Sequence, residues 1–499
     1  MVAVPALGTA AEAVTRTFNV APRTGLVDLQ RVTVAGRGFS PNVQIATVEC
    51  RPGAVGQSDC DLGTLVYGNS DSKGSFSFQR YVRRLITVGG KQIDCAGKAG
   101  CILGAANIGN LKQTGGKTIF FNPKIPPKVQ KVAVSPNTGL VDHQLVTVSG
   151  SGFVPSTNVS LQECLAAGSS PGICDYATQR LVKTNGKGGF TAQNFVLERR
   201  QVTYGPKGQK RLDCAESPKR CVVVARPGTF YSANPPMASL TFDPHTPPVN
   251  ATAQLSPASG LVDLQSITVT GAGFTPGYAV TIEECVVAKT QNQSCDYSTV
   301  RTITADLHGA FTASYWVRRK ISTYSGTSLV TTDCGARSGA CTLTLFGSPS
   351  QPSPSVPLDF DAAVPAVPAT VSAAPDTGLV NDQRVSVTIG GFTPDHPVEL
   401  IECTADAVDE ADLSYCDYGT AIVTTPGGPT GQASFVVRST IGSNEGPEDC
   451  TTAPGACVLV AVGTGGVGGG YSTPAAVPHK VVPLGSLPNT ASTDLAFAT

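Results

Sequence analysis

The sequence predicts an all-β protein of four antiparallel β-sandwich domains in tandem, and three observations carry that prediction. The first is a repeat: "TGLVDLQRVTVAGRGF" at 24–39 returns as "TGLVDHQLVTVSGSGF" at 138–153, "SGLVDLQSITVTGAGF" at 259–274 and "TGLVNDQRVSVTIGGF" at 377–392. The copies begin roughly 110 residues apart, too long a period for a solenoid unit and right for a whole small domain. The second is composition: of 499 residues only 14% are charged, 54 are glycine and 37 proline, which suits short strands joined by many turns. The third is cysteine, whose 16 copies fall as four sets of four, one set per repeat.

Within one repeat the runs "RVTVAG" (31–36), "NVQIATVEC" (42–50) and "GSFSFQRYVRR" (74–84) alternate apolar with polar or small residues, as half-buried strands do. Ser40-Pro41, Gly68-Asn69, Gly89-Gly90 and Gly97 break them with turns. Six to eight short strands in a unit of this size, as an order-of-magnitude count, indicate a sandwich of immunoglobulin type. Proline-rich joints, "PKIPPK" (123–128), "PHTPPV" (244–249) and "VPAVPA" (364–369), separate the units and are stiff by composition. The domains are therefore placed at 14–123, 132–243, 251–361 and 370–483, with a low-complexity, disordered tail at 484–499. Residues 1–13 read either as the remnant of a signal peptide, Ala11-Glu12-Ala13 having the small-x-small form of a cleavage site, or as a plain disordered terminus. No run of 18 apolar residues exists, so the chain as given contains no membrane span.

The cysteine sets are Cys50, Cys60, Cys95, Cys101; Cys164, Cys174, Cys214, Cys221; Cys285, Cys295, Cys334, Cys341; and Cys403, Cys416, Cys450, Cys457. Zinc sites use ligands two to four apart, and no C-x-x-C occurs. The five histidines, His143, His245, His308, His396 and His479, are too scattered to complete such sites. Disulfides are the better reading, and with them a secreted or cell-surface location. No metal site is expected.

Charge drifts along the chain. Lys plus Arg against Asp plus Glu runs 13 to 6, 11 to 7, 6 to 8 and 3 to 13 in the four repeats, so a basic front meets an acidic end. Ordinary surface drift explains this more simply than a nucleic-acid footprint. Val82-Arg83-Arg84, Val196-Leu197-Glu198-Arg199-Arg200 and Val317-Arg318-Arg319 end a strand, where arginines usually pair with local carboxylates. Asp94, Asp213, Asp333 and Asp449 precede a cysteine and Asp61, Asp175, Asp296 and Asp417 follow one, as turn-forming residues do. The G-x-G-x-x-G run at 463–468 opens no helix and is not read as a nucleotide site. "LPNTA" at 487–491, with Ala491 where glycine usually stands, is either a sortase sorting signal, which would imply cell-wall attachment, or a chance match. No catalytic constellation repeats, so an enzyme is not expected.

Each unit reads G-L-V-x-x-Q-x-V-T-V-x-G-x-G-F, then E-C, C-D, V-R-R and D-C. This pattern resembles the neocarzinostatin/macromomycin/actinoxanthin family, the secreted actinobacterial apoproteins of enediyne antibiotics. The resemblance covers all four repeats. It implies four seven-stranded immunoglobulin-like sandwiches, each with its first cysteine bridged to its second and its third to its fourth. It also implies a crevice between the sandwich and its hairpins that holds, without a covalent bond, an apolar DNA-cleaving chromophore. DNA would then be reached only indirectly, through that cargo, and no other cofactor is implied.

The family's crevice aromatics are mostly replaced here. The tryptophan two residues past the first cysteine becomes Pro52, Ala166, Val287 and Ala405, and the aromatic five past the second becomes Leu65, Gln179, Val300 and Ala421. Tyr204 and Tyr324 match an aromatic before the hairpin turn, and Phe346 stands five past the last cysteine where the other repeats place Ala106, Arg226 and Val462. Tyr204, Tyr324 and Phe346 are thus the candidate ligand-binding residues, and repeat 3 the expected best binder of an apolar aromatic molecule. The alternative reading is a structural or adhesive cell-surface stalk of Ig-like repeats without ligand.

Overall fold

The computed structural model describes residues 16–166, 174–205, 208–227, 235–287, 294–325, 328–409, 413–444, 446–463 and 479–483. The proposed cleavage site at 11–13, most of the glycine-rich run at 463–468 and the "LPNTA" stretch lie outside them. The chain divides into two compact units, Met1–Pro248 and Val249–Thr499, each holding two repeats.

Every repeat is built on seven strands in two sheets. In repeat 1 a three-stranded sheet orders Thr17–Ala21, Gln30–Arg37 and Phe76–Val82. A four-stranded sheet orders Cys60–Asn69, Gln44–Cys50, Cys101–Asn107 and Asn110–Ile119, and a separate hairpin joins Leu85–Val88 to Lys91–Asp94. Repeats 2 and 3 add a three-residue parallel strand to the larger sheet, Thr138–Leu140 and Ser259–Leu261. Repeat 4 returns to three plus four strands and one hairpin. Among the described residues helix is confined to single turns, such as Asp406–Asp409.

The repeated segment earns its recurrence in packing. In "VTVAGRGF" the alternate residues Val32 and Val34 are buried in the core with Phe39, and Leu26 is fully buried beside them. Gly36 leaves room for a ring, since a Cβ there would meet Phe76 at 2.4 Å; Gly150 with Phe190 and Gly271 with Phe311 repeat the arrangement at 2.2 and 2.3 Å. Any side chain at these glycines would displace a core aromatic. Each domain thus closes its own core.

Eight disulfides complete the repeats: Cys50–Cys60, Cys95–Cys101, Cys164–Cys174, Cys214–Cys221, Cys285–Cys295, Cys334–Cys341, Cys403–Cys416 and Cys450–Cys457. There are no free cysteines. Each closes a short loop and so restricts the unfolded chain by about 2–3 kcal/mol.

Candidate functional site: the outer face of the larger sheet

Strand alternation sends one set of residues of the larger sheet into the core and the other to its outer face. In repeat 1 Ile45, Leu103 and Ala105 belong to the core. The outer face then carries three cross-strand pairs: Cys50 opposite Ile102, Val48 opposite Gly104, and Ala46 opposite Ala106. The same register holds in the other repeats. Repeat 2 has Cys164–Val222, Gln162–Val224 and Ser160–Arg226. Repeat 3 has Cys285–Thr342, Glu283–Thr344 and Thr281–Phe346. Repeat 4 has Cys403–Val458, Ile401–Val460 and Glu399–Val462. One floor of six positions is therefore presented four times with four chemistries.

Exposure differs as much as chemistry. In repeat 1 the floor residues Ala46, Val48, Ile102, Gly104 and Ala106 are half-buried, and Tyr67 beside Ala46 is exposed. This floor is small, apolar and open. In repeat 4 Ile401, Cys403, Val458, Val460 and Val462 are buried with Ala407 in one cluster, against which Leu413 and Tyr415 pack. The longer loop between Cys403 and Cys416 thus fills its own crevice. In repeat 2 the Arg226 guanidinium donates to Gln162 Oε1 at 2.7 Å and approaches Cys174 Sγ at 3.4 Å, so a buried polar group crosses the floor. Repeat 3 is mixed, with Glu283 and Thr344 buried and Phe346 half-buried at the rim.

Of the sequence candidates, Phe346 lies on this face, opposite Thr281. Tyr204 and Tyr324 stand opposite Gln209 and Leu329, one step before their hairpin turns; their side chains are outside the described ones. Position matching by aromatics alone misses repeat 1, whose floor is apolar through residues too small to stand out in a sequence.

Behind the floor sits a group the sequence reading passed over. The glutamate of each E-C pair, Glu49, Glu163, Glu284 or Glu402, is fully buried. It accepts a backbone N–H from the start of the hairpin: Arg83 at 3.0 Å, Glu198 at 2.8 Å, Arg318 at 2.7 Å and Arg438 at 3.0 Å. Burial raises all four carboxyls, Glu49 to about 7 and Glu402 to about 8, with Glu163 and Glu284 well above the ordinary range. They tie the hairpin to the sheet. In repeat 1 alone a buried arginine, Arg80, faces this carboxylate at 3.2 Å. The matching cross-strand positions hold Phe195, Tyr315 and Phe435.

The strand-end arginines are spent on structure. Arg84, Arg199 and Arg319 each grip the aspartate before the third cysteine, Asp94, Asp213 or Asp333, through two nitrogens at 2.8–3.3 Å. The alignment of repeat 2 follows: Arg199 is its clamp residue and Glu198 takes the place of Arg83 and Arg318. The aspartates after the second cysteine fold turns: Asp61 Oδ1 accepts Gly63 N at 2.9 Å and Oδ2 accepts Thr87 N at 2.7 Å. Among the described residues the densest metal-type cluster is Glu163 with Cys214 and Cys221, and those sulfurs are already joined to each other.

Comparison with known proteins agrees with this architecture. The profile of the Neocarzinostatin family matches residues 18–121, 132–242, 253–360 and 371–476. Apokedarcidin of Actinomycete sp. strain L585-6 is 35% identical over 107 residues, 21% of this chain and 91% of that protein. The antitumor antibiotic C-1027 apoprotein of Streptomyces globisporus is 33% identical over 120 residues, 22% of this chain and 82% of that protein. Among solved structures, macromomycin aligns over 22% of this chain and 99% of its own at 29% identity, with a TM-score of 0.20. With four matches in succession, carrying the same cysteine order and the same strand register, the chain belongs to the neocarzinostatin family.

Proposed function

We propose that the protein is an exported, non-enzymatic carrier that holds an apolar, aromatic small molecule on the outer faces of its larger sheets. The observation that carries this reading is the half-exposed apolar floor of repeat 1, formed by Ala46, Val48, Ile102, Gly104 and Ala106. A folded domain rarely leaves such a contiguous apolar patch uncovered without a use for it. Repeat 3, with Phe346 on its floor, is the second site; Tyr324 and Tyr204, each one step before a hairpin turn, would serve repeats 3 and 2. Repeat 4 is filled by its own loop and holds nothing. An antitumor antibiotic apoprotein among the relatives supports an antibiotic cargo, which by the family resemblance would be enediyne-like and held without a covalent link. DNA would be a partner only through such cargo. Eight disulfides support an oxidising location, at the cell surface or beyond it. Among the described residues no helix is long and apolar enough to cross a membrane.

The test is the protein purified from the cells that make it, examined by visible absorbance and intact mass. A bound chromophore released by organic solvent supports the carrier. Clean apoprotein that also takes up no polycyclic aromatic in vitro would leave the stalk reading, which the hydrogen bonds from Arg84 and Asp28 to the linker after repeat 1 favour.

A further inference from the structure

The hairpin of repeat 2, Arg200–Gly205 with Gly208–Asp213, is attached to its sheet differently from the other three. In repeats 1, 3 and 4 the aspartate after the second cysteine accepts a backbone N–H from the hairpin's first strand. Asp61 takes Thr87 N at 2.7 Å, Asp296 takes Ser322 N at 2.7 Å and Asp417 takes Gly442 N at 2.9 Å. An arginine, Arg83, Arg318 or Arg438, also stands near the buried glutamate and lowers its carboxyl against the effect of burial.

Repeat 2 has neither device. Asp175 is buried and its Oδ1 accepts Ala177 N at 2.7 Å, but no N–H or hydroxyl of the described residues reaches Oδ2. Its carboxylate takes a hydrogen bond from the side chain of Glu198 instead, the buried residue that stands in the arginine's place. A carboxyl group can donate only while it keeps its proton. Glu163, fully buried, adjoins the pair: Oε2 accepts Glu198 N at 2.8 Å and Oε1 meets no donor. Buried Gln201 brings no charge, its Nε2 donating to the Glu198 carbonyl at 3.1 Å.

Every neighbouring element brings charge of its own. Asp142 is a further acid, accepting Arg199 N at 2.8 Å, and His143, 4.0 Å from it, is made less basic by burial. The Arg199 guanidinium grips Asp213 at 2.8 and 2.9 Å, and Arg200 stands across the hairpin from that same aspartate. Lys210 and Arg211 lie on the hairpin's second strand, opposite Thr203 and Val202. Arg226, on the outer floor, donates to Gln162. On Glu163 the acids prevail: burial, Glu198, Asp175 and Asp142 push its carboxyl up, and the Glu198 amide alone opposes them.

We propose that the repeat 2 hairpin is a proton-operated latch: Asp175 and Glu198, sharing one proton, hold it to the sheet, and loss of that proton releases it reversibly. Burial raises the Asp175 and Glu163 carboxyls above their ordinary values. Closure is therefore favoured in acid and weakens as pH climbs through the raised values. The other hairpins keep an amide bond to their aspartate whatever its neighbours' proton count, so the larger response belongs to repeat 2. The latch stands whether or not any repeat carries a ligand.

Amide hydrogen exchange of the full chain, read by peptic mass mapping, compares the four hairpins in one sample. Labelling times are scaled to the chemical exchange rate at each pH, so that only opening is read. Between about pH 6 and about pH 9 the Gly208–Asp213 strand should lose about tenfold in protection, a decade per pKa unit of displacement. Lys91–Asp94, Ser328–Asp333 and Gly446–Asp449 should lose no more than about threefold, and return to acid should restore all four. Glu198→Gln gives Asp175 a permanent N–H donor and should keep Gly208–Asp213 closed throughout. Asp175→Asn, donating to Glu198 from the other side, should do the same. Equal losses in all four hairpins, or the wild-type loss persisting in either variant, would overturn the proposal. So would loss of protection in the core strand Phe190–Val196 in step with the hairpin, because that is unfolding of the domain and not release of a latch.

Discussion

Arg84 and Asp94 hold each other through two hydrogen bonds of 2.8 Å, and the same guanidinium reaches the chain that leaves the domain. Its NH1 donates to the carbonyls of Asn122, Pro123 and Ile125 at 3.2, 3.4 and 2.5 Å. Arg199 does this to Asp243 and Thr246, and Arg319 to Asp361, Ala362 and Val364. Asp28 of the repeated "GLVD" joins in: Oδ1 accepts Arg84 N and Oδ2 accepts Lys128 N, both at 2.8 Å. Asp263 repeats it with Arg319 N and Val367 N. The proline-rich joints are therefore clamped as well as stiff.

The first prediction tests that clamp. Repeat 4 carries Ser439 and Asn381 at the two positions; Asn381 Oδ1 still accepts Ser439 N at 2.9 Å, but no guanidinium is present. Arg84→Ala should leave repeat 1 folded and free the joint. Tryptic cleavage at Lys124 and Lys128 should then quicken on the order of tenfold, as expected when charge-assisted hydrogen bonds holding a surface segment are lost. Unchanged cleavage would mean that proline stiffness alone protects the joint.

Much of this was legible in the residues. Period-two runs and turn residues marked the strands, and the repeated "VTVxGxGF" marked a core strand whose glycine makes room for a phenylalanine. The pairing of Arg84 with a nearby carboxylate was legible, but its hold on the linker, like that of Asp28, was not, because those partners are backbone carbonyls and amides about 40 and 100 positions away that leave no side-chain signature. The floors were half legible. Phe346 could be matched by its distance from a cysteine. Ala46, Gly104 and Ala106 could not, because small residues form a site only through the register that sets them side by side.

A second prediction concerns pH. Burial raises Glu402 from 4.5 to about 8 and Glu49 to about 7. Between the unfolded and folded values the folded chain holds more protons than the unfolded one, so stability falls as pH climbs through this window. Their contribution is complete below about 4.5 and gone above about 8. Asp94 and Asp333 oppose the trend in acid, because hydrogen bonds from Arg84 and Arg319 hold them low and that benefit fades as they protonate. Thermal unfolding should thus be most resistant in mildly acidic buffer. Glu402→Gln, which keeps an oxygen for Arg438 N, should flatten the decline toward pH 8.5 for repeat 4. A steeper decline in the variant would contradict the assignment.

Repeat 1 offers an internal comparison for its buried ion pair. Arg80 donates NH1 to Thr47 Oγ1 at 2.9 Å and NH2 to Thr64 O at 2.7 Å besides meeting Glu49. Removing one partner of such a pair typically costs about 3–5 kcal/mol. Arg80→Ala should pay this in full and leave a void. Arg80→Phe copies Phe195 and Phe435, fills the space, and lets Glu49 protonate as its counterparts do. Its cost should be clearly smaller, and the Glu49 carboxyl should titrate above 7 by carbon NMR. Equal losses for the two variants would mean that the arginine's hydrogen bonds outweigh its packing.

The last prediction separates the four floors by stoichiometry. A flat aromatic ligand gains from apolar area and from ring contacts, each ring pair adding about 0.5–1.5 kcal/mol beyond burial. Repeat 1 supplies open area without rings, repeat 3 supplies Phe346 and Tyr324, and repeat 4 is occupied by Ala407, Leu413 and Tyr415. Titrating the full chain with a naphthoate ester should therefore show sites in repeats 1 and 3 and none in repeat 4. Val48→Glu places a charge in the centre of the first floor and should abolish that site alone. Changing both Tyr324 and Phe346 to alanine should weaken the repeat 3 site by about ten- to a hundredfold, at 1.4 kcal/mol per decade. In repeat 4 the informative change is the reverse, Leu413→Ala with Tyr415→Ala, which uncovers Ile401 and Val460 and should create a weak new site. If the floor variants in repeats 1 and 3 leave the titration untouched, the ligand is adsorbing elsewhere and the sheet faces are not the carrier surface. If only the repeat 4 variant binds, the buried floors are competent but the wild-type chain is built to keep them shut.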